Sequence, residues 1–422
     1  MKLEDLVDFN PRTPVPKGES APFVDMASLP TGDKHFPVSA FRVFKGSGSK
    51  FKDGDTLLAR ITPCLENGKG GFVQGLGESV FAHGSTEFIV LRAKKVSDKD
   101  FTFYITKHPD FRAFAIKQMS GTSGRQRVAW QSLTDYELFD LRPEEREAIG
   151  KLLSALDDKI ELNRRMNATL EAMARALFRD WFVDFGPTRA KMAGADPYLA
   201  PEIWSLFPDR LDDEKVPEGW QGSEIGQETK VVGGSTPSTK EPSYWGGAIN
   251  WTTPKDLSSL NSPVLIETNR TITEAGLAKI SSGLLPAGTV LLSSRAPVGY
   301  IAISAIPVAV NQGYIAMQCG ARLSNVYVWL WLHENMEAIK GNANGSTFQE
   351  ISKKNFRPLP VVVPSEAVMC AFNEISVPLY ERIEKNEIES RTLAQTRDLL
   401  LPRLMSGEIR VREKEYMAED TG

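Results

Sequence analysis

The chain is poor in the residues that catalysis and cross-linking need. Its 422 residues hold three cysteines, Cys64, Cys319 and Cys370, odd in number and far apart. They make neither a disulfide framework nor a CxxC metal site, which points to a reducing cytoplasm. The four histidines, His35, His83, His108 and His333, are scattered, and none has a Cys or His neighbour at metal-ligand spacing. No GxxxxGK(S/T) phosphate loop, GxSxG elbow or HExxH helix occurs. Gly46-Ser47-Gly48-Ser49-Lys50 has the wrong spacing for a phosphate loop and reads as a turn. No run of about 18 apolar residues exists to span a membrane. The opening MKLEDLVDFNPRTP lacks the basic-then-apolar pattern of a signal peptide. A strong excess of either charge is missing too: 50 Lys and Arg against 54 Asp and Glu give −4, which argues against a simple basic nucleic-acid binder.

What is abundant is helix. Residues 146–185 read REAIGKLLSALDDKIELNRRMNATLEAMARALFRDWFVDF, with no Pro and one Gly near the start. Ile149, Leu153, Leu156, Ile160, Asn163, Asn167, Leu170, Ala174, Leu177 and Trp181 recur in alternating steps of four and three, the seam of a coiled coil. Such a helix is roughly 60 Å long and needs a partner of similar length to cover its stripe. Residues 371–404 supply one: a shift of 223 carries Leu156 to Leu379, Ile160 to Ile383, Asn163 to Asn386 and Leu177 to Leu400. If the two helices pair antiparallel, Asn163 and Asn386 face each other near mid-helix and fix the register. Pro402 stands where the first copy has Arg179, so the second helix is expected to kink or stop early.

The repeat extends upstream. The same shift carries Gln126 to Gln349, Val128 to Ile351 and Leu133 to Phe356. Further back it drifts: GDTLLA at 54–59 matches GTVLLS at 288–293, and FIVL at 88–91 matches YIAM at 314–317. The chain is therefore two copies of a globular domain followed by a long helix. The expected divisions are 1–142 and 216–364 for the globular domains, 143–185 and 365–405 for the helices, 186–215 for an ordered connector anchored by Trp204 and Phe207, and 406–422 for a tail. Residues 1–142 carry 20 basic and 17 acidic groups, and residues 216–363 carry 11 and 10. The globular parts are thus slightly basic and the helices acidic. Within the first domain, 56–61, 71–73 and 87–92 read as strands, and 101–107 and 111–119 as helices; 408–411 could form a strand in the tail.

Two similar domains on one rod suit the reading of two patches on double-stranded DNA. Amide and guanidinium groups read adenine and guanine. Two Gly-rich loops at matching positions carry them: Arg125, Gln126 and Arg127 in one, Asn342, Asn344, Thr347 and Gln349 in the other. Arg60, Trp251, Lys255, Arg295, Lys353 and Lys354 complete the DNA-binding candidates. A coiled-coil scaffold holding two protein-binding domains is the alternative reading. A methyltransferase or nuclease with a fused recognition region would need a cofactor motif. Asp196-Pro197-Tyr198 has only a faint likeness to the tetrapeptide of amino-methyltransferases and reads as a turn.

LDDKIELNRRMNATLEAMARALFRDWFVDF at 156–185, VPEGW at 216–220, GGSTPSTKEPSYWGGAINWTTPKDL at 233–257 and LLPRLMSGEI at 400–409 carry a family likeness. The chain resembles the specificity (S) subunit of type I restriction-modification enzymes over nearly its whole length. The resemblance implies an α+β fold with two similar α/β target-recognition domains. These are separated by a pair of long antiparallel coiled-coil helices, in a pseudo-two-fold internal repeat. It also implies that each domain reads half of a split DNA site, and that the helices set the spacer and bind two modification (methyltransferase) subunits, which restriction (translocase/nuclease) subunits join. The chain itself is then non-catalytic, with S-adenosylmethionine, ATP and Mg on the partner subunits. The first domain departs from the pattern in having no VPEGW. Its entry strand is expected to be shortened or completed by the tail.

Overall fold

Two helices of 40 residues each, Pro143–Phe182 and Glu366–Met405, dominate the computed structural model. It describes residues 1–38, 40–76, 81–122, 124–320, 322–345 and 349–411. The chain divides into two compact units. The first joins Met1–Leu162 to the chain from Ser390 onward; the second is Asn163–Glu389. Each unit therefore holds half of each long helix.

In the first unit β1 (Val7–Phe9), β8 (Phe88–Ala93), β5 (Thr56–Ala59) and β6 (Gly70–Phe72) lie side by side, all antiparallel. A second sheet runs β3 (Ala40–Val43), β2 (Ser20–Val24), β7 (Ala82–Gly84), β4 (Ser49–Phe51), with β2 and β7 parallel. Strand side chains alternate faces. Leu57, Phe88 and Val90 face the second sheet, where Val24, Phe51 and Ala82 meet them. Leu58, Ile89 and Leu91 face helices Lys99–Lys107 and Pro109–Lys117, together with Phe101, Tyr104 and Phe111. This is why β5 reads as one unbroken apolar run: both its faces are covered. A short ribbon, β9 (Met119–Ser120) with β10 (Arg127–Val128), ends this part.

The second unit repeats the plan. Its strands are β11 (Gln221–Glu224), β12 (Thr229–Val232), β13 (Trp245–Thr252), β14 (Val264–Leu265), β15 (Arg270–Ile272), β16 (Val290–Ser293), β17 (Ile301–Ser304), β18 (Ala309–Val310), β19 (Tyr314–Cys319) and β20 (Pro360–Val363). One sheet is β12-β19-β16-β17-β14 and another β15-β13-β18. In each unit a six-residue strand, β8 or β19, is buried over four residues and half-buried over two. The parallel pair β2–β7 recurs as β13–β18. β11 pairs with β20 in the second unit. In the first, a Lys2–Glu137 bridge stands in that place, with the Leu138 N–H donating to the Met1 carbonyl (2.8 Å) and the Leu3 N–H to the Tyr136 carbonyl (2.9 Å). Residues 408–411 form no strand; Ile409 and Val411 lie against the first unit's core.

Within each unit the helix halves run antiparallel. In the first, Arg397 bonds Asp157, and Leu401 and Leu404 share a core with Leu153 and Ile149. In the second, the Asn386 amide donates to Asn167 Oδ1 (2.8 Å), and the Phe372 ring lies 4.9 Å from Phe182. The second helix does not stop early: it continues to Met405, past both Pro378 and Pro402. A proline removes one backbone bond, and burial of Leu401, Leu404 and Met405 holds the turn in place. The first helix ends at Phe182, after which Phe185 turns left-handed (φ 52°) and Gly186–Met192 forms a short helix. Phe207 of the connector is buried against Trp181, with ring centroids 4.9 Å apart.

Candidate nucleic-acid interface

The ends of β5 and β16 organise equivalent neighbourhoods. In the first unit the Val128 N–H donates to the Arg60 carbonyl (2.9 Å), and Ile61 bridges Arg127. In the second the Ile351 N–H donates to the Ser294 carbonyl (3.0 Å), and Arg295 bridges Glu350. Each Gly-rich loop is thus seated on the end of a central strand, one turn of chain before a short helix.

Beside each seat lies a cleft with no acidic lining residue among the described residues. That of the first unit, about 390 Å³, is lined by Arg12, Lys50, Arg60, Ser49, Thr86 and Asn10, among others. Arg60 Nε is buried there without a hydrogen-bond partner among the described residues. A buried donor left unmade costs about 1–3 kcal/mol, so an anionic acceptor reaching it would be stabilised. That of the second unit, about 380 Å³, is lined by Lys255, Arg295, Thr253, Tyr300 and Asn311. Lys255 stands on the helix Pro254–Ser258, started by a Thr253–Asp256 capping box. Asp256 is spent internally, accepting from Thr253 N (2.7 Å), Asn269 N (2.9 Å) and Asn269 Nδ2 (2.7 Å). That carboxylate is thereby kept from Lys255, while Arg295 pairs with Glu350 (3.7 Å) at the edge of the cleft.

The other expected contacts divide. Arg125, Gln349, Lys353 and Lys354 are exposed, and Gln126 is half-buried. Arg127 is held by Glu87 through Nη2 (2.7 Å) and Nε (2.9 Å), and this bond keeps the Glu87 carboxyl below its ordinary range. Its guanidinium is therefore committed within the fold. Trp251 is a correction: it is 2% exposed, in a core with Ile272 and Ile280, and its indole N–H donates to the Ser235 carbonyl. An indole is mostly carbon, and the sheet uses it as such. The Asn342 amide donates to the Ala338 carbonyl (2.9 Å), and Asn344 pairs through its backbone with Glu350. Thr347 lies outside the described residues.

In the helix pair Asn163, Asn167 and Asn386 are all buried. The Asn163 amide donates to the Asn386 carbonyl (3.4 Å) and to Glu389 Oε2 (2.8 Å), while the Asn386 side chain donates to Asn167. One facing amide pair becomes a set of three asparagines. Asn167 sits one turn beyond Asn163 on the same face, a spacing the sequence displays.

Among the described residues no group of three or more His, Cys, Asp or Glu could hold a metal ion, and no helix is long and apolar enough to cross a membrane.

Residues 217–368 match the family model of the type I restriction modification DNA specificity domain. The chain is similar to the type I restriction enzyme HindI specificity subunit of Haemophilus influenzae, 26% identical over 425 residues, covering 89% of this chain and 91% of that one. A stretch of 164 residues is 37% identical to the MjaIX specificity subunit of Methanocaldococcus jannaschii, 38% of each chain. The fold is shared with the crystal structure of a type I restriction-modification system S subunit from M. genitalium, at a TM-score of 0.55 and 16% identity over 96% of this chain and 95% of that one. With its duplicated α+β units, paired long helices and basic clefts, the chain is similar over most of its length to specificity subunits of type I restriction enzymes.

Proposed function

We propose that each unit reads one half of a split double-stranded DNA site through its Gly-rich loop and adjoining cleft. The paired helices set the spacer between the halves and carry the faces on which two modification subunits dock. Restriction subunits join that core in the cytoplasm, and S-adenosylmethionine, ATP and Mg serve on those partners. The observation that carries the reading is the equivalence of the two clefts. Each is basic, with no acidic lining residue among the described residues, and placed beside a loop bound to a central strand by the same backbone bond. Phosphates supply the general attraction and amide and guanidinium groups the discrimination. Exposed apolar residues on the helices, Leu152 and Leu399 in the first unit and Met173 in the second, offer contact surface for the partners.

Methylation-sensitive sequencing of the source genome tests it. The expected result is a motif of two defined halves separated by a fixed undefined spacer. A continuous motif, or none that depends on this chain, would overturn the reading.

A further inference from the structure

Sequence reasoning placed DNA contacts on loops. The second sheet of each unit holds a repeated feature that no loop contains. In the first unit Phe23 of β2 pairs with His83, the middle residue of the parallel neighbour β7. In the second, Trp251 of β13 pairs with Ala309, the first residue of the parallel neighbour β18. Phe23 and Trp251 thus open the parallel pairing in their two sheets. On the other side of each lies an antiparallel strand, β3 or β15, that delivers an exposed arginine over the ring. Arg42 Cζ is 4.0 Å from the Phe23 centroid. Arg270 Cζ is 3.5 Å from Trp245 and 5.4 Å from Trp251, two indoles packed edge to face 5.0 Å apart.

Neither guanidinium has a carboxylate at ion-pair distance among the described residues. Asp25 is near Arg42, but its low carboxyl is held first by Ser28, with Arg42 the weakest of its causes. A stacked guanidinium keeps its in-plane N–H donors directed outward and loses little freedom on binding an anion. Lys50 of β4 lies over Phe44 (5.0 Å), two residues after Arg42 in the chain, and also lines the first unit's cleft.

We propose that Arg42 and Arg270 are equivalent DNA phosphate contacts, one in each unit. This rests on the reading that each unit binds DNA. The duplication itself favours phosphate over base: two units reading different half-sites need different base contacts, yet both meet the same backbone. Loops can diverge while a shelf built on the sheet stays fixed.

The test compares the full chain, with modification subunits present, to Arg42→Gln and Arg270→Gln across a salt series, on duplex carrying the bipartite site and on scrambled duplex. Each substitution is expected to weaken binding to both duplexes by the same factor and to lower the slope of log K against log salt by about one. Arg42→Met and Arg270→Met leave an unbranched stem on the ring and should behave alike, which separates charge from packing. Weakening confined to the site-bearing duplex would make the arginines base readers and overturn the proposal, as would an unchanged slope. If the parent chain showed no preference for its site, the proposed function would fall. If that preference stood and the slopes did not move, only this inference would.

Discussion

Lys107 is the residue at which the first unit's interior is least at ease. Its ammonium donates to the carbonyls of Gly70 (3.1 Å), Gly68 (3.3 Å) and Thr31 (3.4 Å), with no carboxylate among those partners. Burial first, and the Arg397 charge second, push its pKa down to about 8 from an ordinary 10.5. Between those values the unfolded chain keeps a proton that the folded chain has released, so stability rises with pH across that window. The urea midpoint should climb from pH 8 to 10 in the parent and climb less in Lys107→Met; parallel curves would show that Lys107 titrates normally. At the loop, Gln126 is half-buried beside the Arg60 cleft, and its carbonyl accepts from the Thr62 N–H (3.0 Å). That bond positions the loop through its backbone and does not use the side-chain amide, which is the group proposed to read DNA. Gln126→Ala should therefore relax one half-site only, by about 1–3 kcal/mol, as read by binding to duplexes mutated in each half; uniform loss on all duplexes would place Gln126 on the backbone.

At the level of elements, the asparagine set bears on the role proposed for the helix pair. Three buried amides cost stability that leucine would return, and they fix register because any slip sets an amide against an apolar side chain. Replacing Asn163, Asn167 and Asn386 together with Leu should raise the melting temperature. It should also let the protein accept sites whose spacer is one base pair longer or shorter. Higher stability with unchanged spacer preference would show that register is set elsewhere. The helices and this seam were legible because helical periodicity is local and repeats over many turns. The central strands β5, β8, β16 and β19 were legible as apolar runs that recur between the copies. The second sheets were not. Their strands are short, and the residues that define them are set by pairing: Arg42 and Phe23 are 19 positions apart, as are Arg270 and Trp251. Trp251 misled for a related reason, since an aromatic beside Asn and Thr looks like a base-stacking residue until the sheet buries it.

Taken as whole bodies, the two units are built on one plan, and the first adds buried polar contacts where the second adds aromatic rings. In the first unit polar contacts join the apolar core in holding the helix segments: Arg146 to Asp98 (3.0 Å), His35 to Asp158 (2.8 Å) and Lys34 to Ser154. Tyr104 donates to Asp157 (2.5 Å), which also binds Arg397. In the second unit aromatic rings fill that role: Phe178, Trp181 and Phe182 pack with Tyr327 and Phe372. Tyr327 stands on the helix Asn325–Glu334, where its hydroxyl donates to the Val362 carbonyl (2.6 Å), and no carboxylate is called for. Removing one partner of a buried ion pair leaves the other charge stranded, at about 3–5 kcal/mol, whereas replacing both by apolar groups is often neutral. Truncating a buried Phe costs a similar amount by leaving a cavity. Asp157→Ala should therefore lower hydrogen-exchange protection in the first unit, and Asp157→Leu with Arg397→Met should restore most of it. Phe182→Ala should act on the second unit alone, because each core closes within its own unit. A fall in protection spread evenly over both units after either single substitution would mean that the shared helices make the whole chain one cooperative body, and the division into two would fail.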